Sequence, residues 1–262
     1  MKSFQEFLNE SIGAAGPAYE KLIWNSIDKA KVPGLSLGTK PNAGFSNQGA
    51  GDIEATYKGH PFNVEAKATS HDQMGGGSLR YDYNSKKFTV VGKDGDASDD
   101  DIKLILQAAQ KKTKDLDAYI DAARKLKPVA YHKSISGIPL KISKDGREKL
   151  KDAGLSANIQ DYVQADIRFI INHYNAKGVY YIQIGGAGLF YMGSNPLKLP
   201  IPQLSGTIQV ELRLAFGGSK LSLPDGTDAR SAGLRFQGRL LTTGKSPYSL
   251  DNPASIRELF NH

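Results

Sequence analysis

The stretch Gly51-Asp52-Ile53-Glu54-Ala55-Thr56-Tyr57-Lys58-Gly59-His60-Pro61-Phe62-Asn63-Val64-Glu65-Ala66-Lys67-Ala68 decides the fold. Two short runs, residues 52–57 and 62–68, flank the turn Lys58-Gly59-His60-Pro61, and this pattern reads as a β-hairpin. Side chains alternate along a strand, so Phe62, Val64, Ala66 and Ala68 make one apolar face while Glu65 and Lys67 share the other. Asp52 opens the first strand, thirteen residues before Glu65. The hairpin therefore gathers two carboxylates and an ammonium at one sheet edge. Hard divalent cations such as Mg²⁺ take oxygen ligands, commonly one or two carboxylates plus substrate phosphates. Asp52 and Glu65 suit that role, with the backbone carbonyl of Ala66 as a further oxygen. Lys67 then sits where it can touch an attacking water or a phosphate oxygen. The plain alternative is an exposed hairpin with Glu65 and Lys67 as a surface ion pair. The wholly apolar opposite face of the strand favours the site.

Outward from the hairpin, a helix is expected over residues 17–31, opened by Pro17 and carrying Tyr19, Leu22, Ile23, Ser26, Ile27 and Ala30 on one face. A polar Gly/Asn/Ser-rich stretch separates it from Asp52. After the hairpin, residues 71–83 read as a loop around Gly75-Gly76-Gly77, and residues 87–91 as a strand before a turn at 92–96. Ser98 followed by Asp99, Asp100 and Asp101 is a helix start, and the apolar series runs to Leu126, bent or broken near Lys111, Lys112 and Lys114. A further helix is expected over 156–175, with Ile159, Val163, Ile167, Ile170 and Tyr174 inward. The last third alternates as β: 179–184, 189–192, 207–216 and 233–241.

The acidic residue, the spacer and then Glu65-Ala66-Lys67 resemble the PD-(D/E)xK nuclease superfamily, with Gly51-Asp52 in place of the degenerate first dipeptide. The resemblance covers about residues 17–112. It implies a restriction-endonuclease-like α/β core of helix, mixed β-sheet and helices, here with additional C-terminal antiparallel strands. It implies Asp52 and Glu65 as metal ligands, Lys67 as the group that orients or activates water, and Glu20 as an acid contributed by the preceding helix. Gln73 matches the polar residue that members often carry after the lysine. Mg²⁺, with Mn²⁺ substituting, is the expected cofactor, and double-stranded DNA the expected partner. Many members work as dimers, so a homodimer is also expected. The opening residues, with Phe4, Phe7 and the step Leu8-Asn9-Glu10, resemble N-termini of proteins from large tailed phages.

Composition agrees with a globular chain: 262 residues, 39% hydrophobic and 23% charged. The absence of cysteine removes disulfide scaffolds, thiolate zinc sites and cysteine nucleophiles. No Walker loop and no nucleophile elbow is present. No run of apolar residues is long enough for a transmembrane helix, and no secretory signal is recognisable, so a cytoplasmic, non-secreted protein is expected. Lys and Arg number 34 against 27 Asp and Glu, a net +7. Between residues 101 and 153 the count is thirteen against seven, which places most of the excess in one stretch. Arg213, Arg235 and Arg239 fall on the polar faces of their strands and suit phosphate oxygens, or cross-strand pairing with Glu211. Arg80 sits after the glycine run as a further candidate DNA contact. The organisation expected is an appendage at 1–16, a catalytic core at 17–127, and a region at 128–262 that completes the domain or binds DNA. The function these residues point to is a metal-dependent DNA endonuclease. A non-catalytic nucleic-acid-binding or phage structural protein with the same fold, and an enzyme acting on RNA or another phosphate ester, remain open.

Overall fold

The computed structural model describes residues 15–38, 51–82, 85–91, 99–126, 129–131, 140–156, 159–222 and 228–261. The N-terminal stretch with Phe4, Phe7 and the Leu8-Asn9-Glu10 step, the stretch 39–50, the turn at 92–96 and Ser98 lie outside the described residues. In chain order the elements begin with α1 (Ala15–Ala30), β1 (Leu35–Leu37), β2 (Ile53–Tyr57), β3 (His60–Lys67), β4 (Met74–Asp82) and β5 (Lys87–Val91). Next come α2 (Asp99–Lys111), α3 (Thr113–Arg124), β6 (Val129–Tyr131), β7 (Leu140–Ser143), α4 (Lys144–Asp152) and β8 (Asp161–Ala165). The remainder is α5 (Arg168–Asn175), β9 (Tyr181–Ile184), β10 (Gly188–Tyr191), β11 (Gly206–Ser222), β12 (Asp228–Thr243) and α6 (Pro253–Phe260). The protein is α/β, as the sequence indicates, and forms two units that interleave along the chain. Residues 1–72, 170–207 and 240–262 make the first, and 73–169 with 208–239 make the second.

In the first unit α1 buries Tyr19, Ile23, Ser26, Ile27 and Ala30, the stripe of a helix lying on a core. The β2–β3 hairpin turns through Lys58 (φ 47°) and Gly59 (φ 82°), the two left-handed residues of a turn whose twist matches its strands. Its register pairs Ile53 with Val64, so Asp52 comes opposite Glu65 one step further on. Strand β9 lies parallel to β3, with Glu65 opposite Ile182 and Lys67 opposite Ile184. A parallel neighbour needs a long crossover, and the chain makes this one by way of residues 73–169 of the second unit and the rest of α5. The five-stranded mixed sheet runs β1-β2-β3-β9-β10. One face packs on α1 and α6 through Tyr19, Ile23, Ile53, Phe62, Val64, Ala66, Tyr181, Ile256 and Phe260. The Tyr57 hydroxyl donates to the Phe260 carbonyl at 2.7 Å and ties the last helix to the hairpin. Glu65 and Lys67 face the other way.

The second unit is built on a sheet of order β5-β4-β12-β11-β8, with β7 also on β12 and β6 on β7. Strand β12 is antiparallel to β4 and β11 antiparallel to β8, the C-terminal antiparallel strands expected from the sequence. Met74, Tyr81, Ile105, Leu116, Tyr119, Phe169 and Phe236 are among its buried side chains.

Two local expectations are corrected. Most of 71–83 is strand β4, not loop. A β-carbon at Gly76 would stand 2.5 Å from the Phe236 carbonyl oxygen, so the glycines there admit close backbone pairing. Residues 156–175 are not one helix. Ile159, Val163 and Ile167 imitate a helical stripe, but 161–165 pairs with β11 through Val163–Val210 and Ala165–Ile208. Helix α5 begins only after Asp166, whose carboxylate accepts the Arg168 N–H at 2.9 Å. The break expected near Lys111, Lys112 and Lys114 is found: the described residues form two helices, α2 and α3, parted at Lys112, whose φ of −93° and ψ of 5° leave the helical region. Helix α6 adds an element that the sequence reading does not contain, capped by Asn252, which accepts the Ala254 N–H at 2.9 Å. Among the described residues no helix is long and apolar enough to cross a membrane.

Candidate active site

Three carboxyl groups and one ammonium converge at the β2–β3 edge of the first unit. Gly51 makes the approach: a β-carbon there would lie 2.8 Å from the Val64 carbonyl oxygen, so only glycine lets the chain run this close to β3. Asp52 then accepts the Ala66 N–H on Oδ2 at 2.9 Å, which fixes it against the strand that carries Glu65 and Lys67. Those two side chains, on one face as alternation requires, meet with Lys67 Nζ 2.6 Å from Glu65 Oε1, at 16% and 13% side-chain exposure. Glu20, on α1, feels the charges of both Glu65 and Lys67.

The electrostatics are those of crowded negative charge. Burial first, and then the Glu65 charge, push Asp52 up to about 7, against the opposing pull of Lys67 and the Ala66 N–H. Burial and then Glu65 likewise raise Glu20, with Lys67 pulling the other way. Burial works against the charge on Lys67, but Tyr174, Glu65 and Asp52 outweigh it and hold its pKa above the ordinary lysine value.

Asp52, Glu65, Lys67 and Glu20, the residues singled out from the sequence, are thus brought together. The fifth member is Tyr174 of α5, fully buried, whose hydroxyl donates to Glu65 Oε1 at 3.0 Å. It lies 109 residues from Glu65, and sequence patterning reads it only as part of an apolar stripe. Gln73, Arg80, Arg213, Arg235 and Arg239 belong to the second unit. There Gln73, Arg80 and Arg235 are exposed. Arg239 pairs with buried Glu211 at 2.8 Å, and Arg213 donates to Gln237 at 3.3 Å. The cross-strand pairing with Glu211 foreseen for this set is realised at Arg239.

The donor set suits a divalent cation. Among the described residues Asp52 Oδ1 and Glu65 Oε2 carry no hydrogen bond, and three acids face one lysine. Among the described residues no three His, Asp or Glu side chains are spaced as a ready-made cation cage. Mg²⁺ fits that economy, since it usually keeps several waters and takes only one or two carboxylates.

Helix, mixed sheet and second helix, with the acidic cluster on one sheet edge, make up an α/β core. A solved structure similar over the full length of both chains is the HhaI endonuclease in complex with DNA, at 12% identity and a TM-score of 0.45. No protein-family model and no curated protein matches the sequence.

Proposed function

We propose that this protein is a metal-dependent DNA endonuclease that hydrolyses phosphodiester bonds by water attack. The observation that carries the reading is the meeting of Asp52, Glu65, Glu20 and Lys67 at one sheet edge, with one oxygen of Asp52 and one of Glu65 left unused among the described residues. Asp52 and Glu65 would hold the cation, Mg²⁺ or Mn²⁺, which when bound supplies Lewis-acid stabilisation of the phosphate oxygens. Lys67, kept protonated by its acidic surroundings, orients the attacking water and offers a fixed positive charge to the developing phosphorane oxygens. Glu20 adds a nearby carboxylate that supports the site. The substrate proposed is double-stranded DNA, the assembly a homodimer and the compartment the cytoplasm. The second unit would hold the duplex, because it carries 23 Lys and Arg against 17 Asp and Glu, nearly all of the net +7 of the chain. Arg213, Arg235, Arg239, Arg80 and Gln73 are the proposed contacts.

One observation favours a second reading, a nucleic-acid-binding protein without catalysis: no preformed three-ligand cation cage exists among the described residues. Plasmid nicking and linearisation with Mg²⁺ or Mn²⁺ decides between them, comparing wild type with Glu65→Ala and Lys67→Ala whose folding is checked by circular dichroism. Cleavage in wild type, lost with EDTA and in both variants, is expected. Cleavage that survives those changes would sink the catalytic assignment. Binding without cleavage on duplex DNA, single-stranded DNA and RNA alike would leave the second reading.

A further inference from the structure

Glu65 has two oxygens, and the chain treats them differently. Oε1 receives both the Tyr174 hydroxyl at 3.0 Å and the Lys67 ammonium at 2.6 Å. A carboxylate oxygen offers about two acceptor positions, so Oε1 is fully used by the protein. Among the described residues Oε2 has no hydrogen-bond partner. Tyr174 is 3% exposed and sits on α5, a helix packed by Phe169, Ile170 and Ile171, so its hydroxyl is held in place rather than sampling solvent.

We propose that Tyr174 is a positioning residue for the cation: by sharing Oε1 with Lys67 it locks the Glu65 carboxylate in the one orientation that leaves Oε2 free to ligate. This rests on the metal-site reading above. Without the hydroxyl, Lys67 alone holds Oε1. A single flexible ammonium allows the carboxylate to rotate about its terminal torsion and present either oxygen. Hydrogen-bond partners that orient a ligating group typically govern metal affinity by ten- to a hundred-fold. The same bond separates Lys67 from full dependence on Glu65, since the shared oxygen divides its charge between two donors.

The test is isothermal titration of the full chain, without DNA, with Mg²⁺ alone and Mn²⁺ alone. Tyr174→Phe keeps the buried ring and removes only the hydroxyl; it is expected to fold by circular dichroism and to bind both cations about ten-fold more weakly. Ile170→Val, which loosens packing on the same helix face without touching Glu65, is expected to keep wild-type affinity. A second readout is the rise in melting temperature on adding cation, which should shrink in Tyr174→Phe and persist in Ile170→Val. Equal cation affinity in wild type and Tyr174→Phe overturns the positioning role and leaves the metal site standing. Equal weakening in Tyr174→Phe and Ile170→Val also overturns it, because packing would then be the cause. A wild type that binds neither cation removes the metal site and this role together.

Discussion

A lysine held above its ordinary pKa is a poor proton acceptor, so in the proposed mechanism Lys67 acts as a fixed charge. Removing a preorganised donor of this kind typically costs about 10²–10³ in turnover. Lys67→Ala is accordingly expected to lower single-turnover cleavage by that order while barely changing duplex affinity, and the pH–rate profile of the wild type should show no limb that disappears with the lysine. A comparable loss in affinity would make Lys67 a binding group instead. Asp52 gives a pH prediction for the metal-free protein. Its folded-state value, about 7, lies above the ordinary carboxyl value of 3.8. Between these values the folded chain keeps a proton that the unfolded chain has released, so stability must fall as pH rises through that window. Urea melts in EDTA from pH 4 to pH 7.5 should show this decline, flattened in Asp52→Asn and, in the wild type, offset at the upper end by Mg²⁺. A stability that rises with pH in the wild type and is unchanged in the variant contradicts the crowding of carboxylates. At this scale the site was largely legible. Asp52, Glu65 and Lys67 are joined by a local hairpin, and Glu20 falls on a regular helical face. Tyr174 was not, because only the fold brings α5 to Glu65.

Between elements, the contact that matters most is the parallel seam of β3 and β9, and it depends on one glycine. Gly185 donates its N–H to the Lys67 carbonyl at 2.8 Å. A β-carbon at Gly185 would lie 2.1 Å from the Ala68 carbonyl oxygen and 3.3 Å from the Tyr19 ring, so the strands must part to admit it. Gly185→Ala is expected to cost about 1–3 kcal/mol, the usual range for overpacking, in urea denaturation. It should also depress cleavage, because the displaced backbone carries Lys67. Gly233→Ala, where a β-carbon meets nothing within 4 Å, serves as the control and should be close to neutral. An alanine at 185 that leaves both stability and activity intact would mean that the seam yields easily. The sequence shows a glycine run at 185–188 but not its partner, because parallel pairing joins strands more than a hundred residues apart. The same limit explains β8 and β4. Spacing of Ile159, Val163 and Ile167 fits a helix equally well until β11 arrives beside it, and three glycines signal a loop until β12 requires a close approach.

For the molecule as a whole, the candidate site and the charge excess fall in different units: Asp52, Glu65, Lys67 and Glu20 in the first, the excess of Lys and Arg in the second. A charge excess is legible from composition, whereas the interleaving of the units depends on pairings made far along the chain. The separation predicts that affinity and cleavage can be altered independently. Duplex binding should weaken steeply with salt, because each phosphate neutralised releases counterions and adds roughly 0.9 to the slope of log K against log salt concentration. Arg235, exposed and without an ion pair among the described residues, is expected on truncation to alanine to lower that slope by about one and to weaken all duplex sequences alike. Arg239 differs. Its guanidinium holds the buried Glu211 carboxylate at 2.8 Å, so Arg239→Ala strands a buried charge and should lower the melting temperature as well as the affinity. Filter binding across a salt series, with melts of each variant alongside, separates the two effects. If Arg235→Ala leaves the salt slope unchanged while Glu65→Ala reduces it, the duplex is held by the first unit and the proposed division of labour fails.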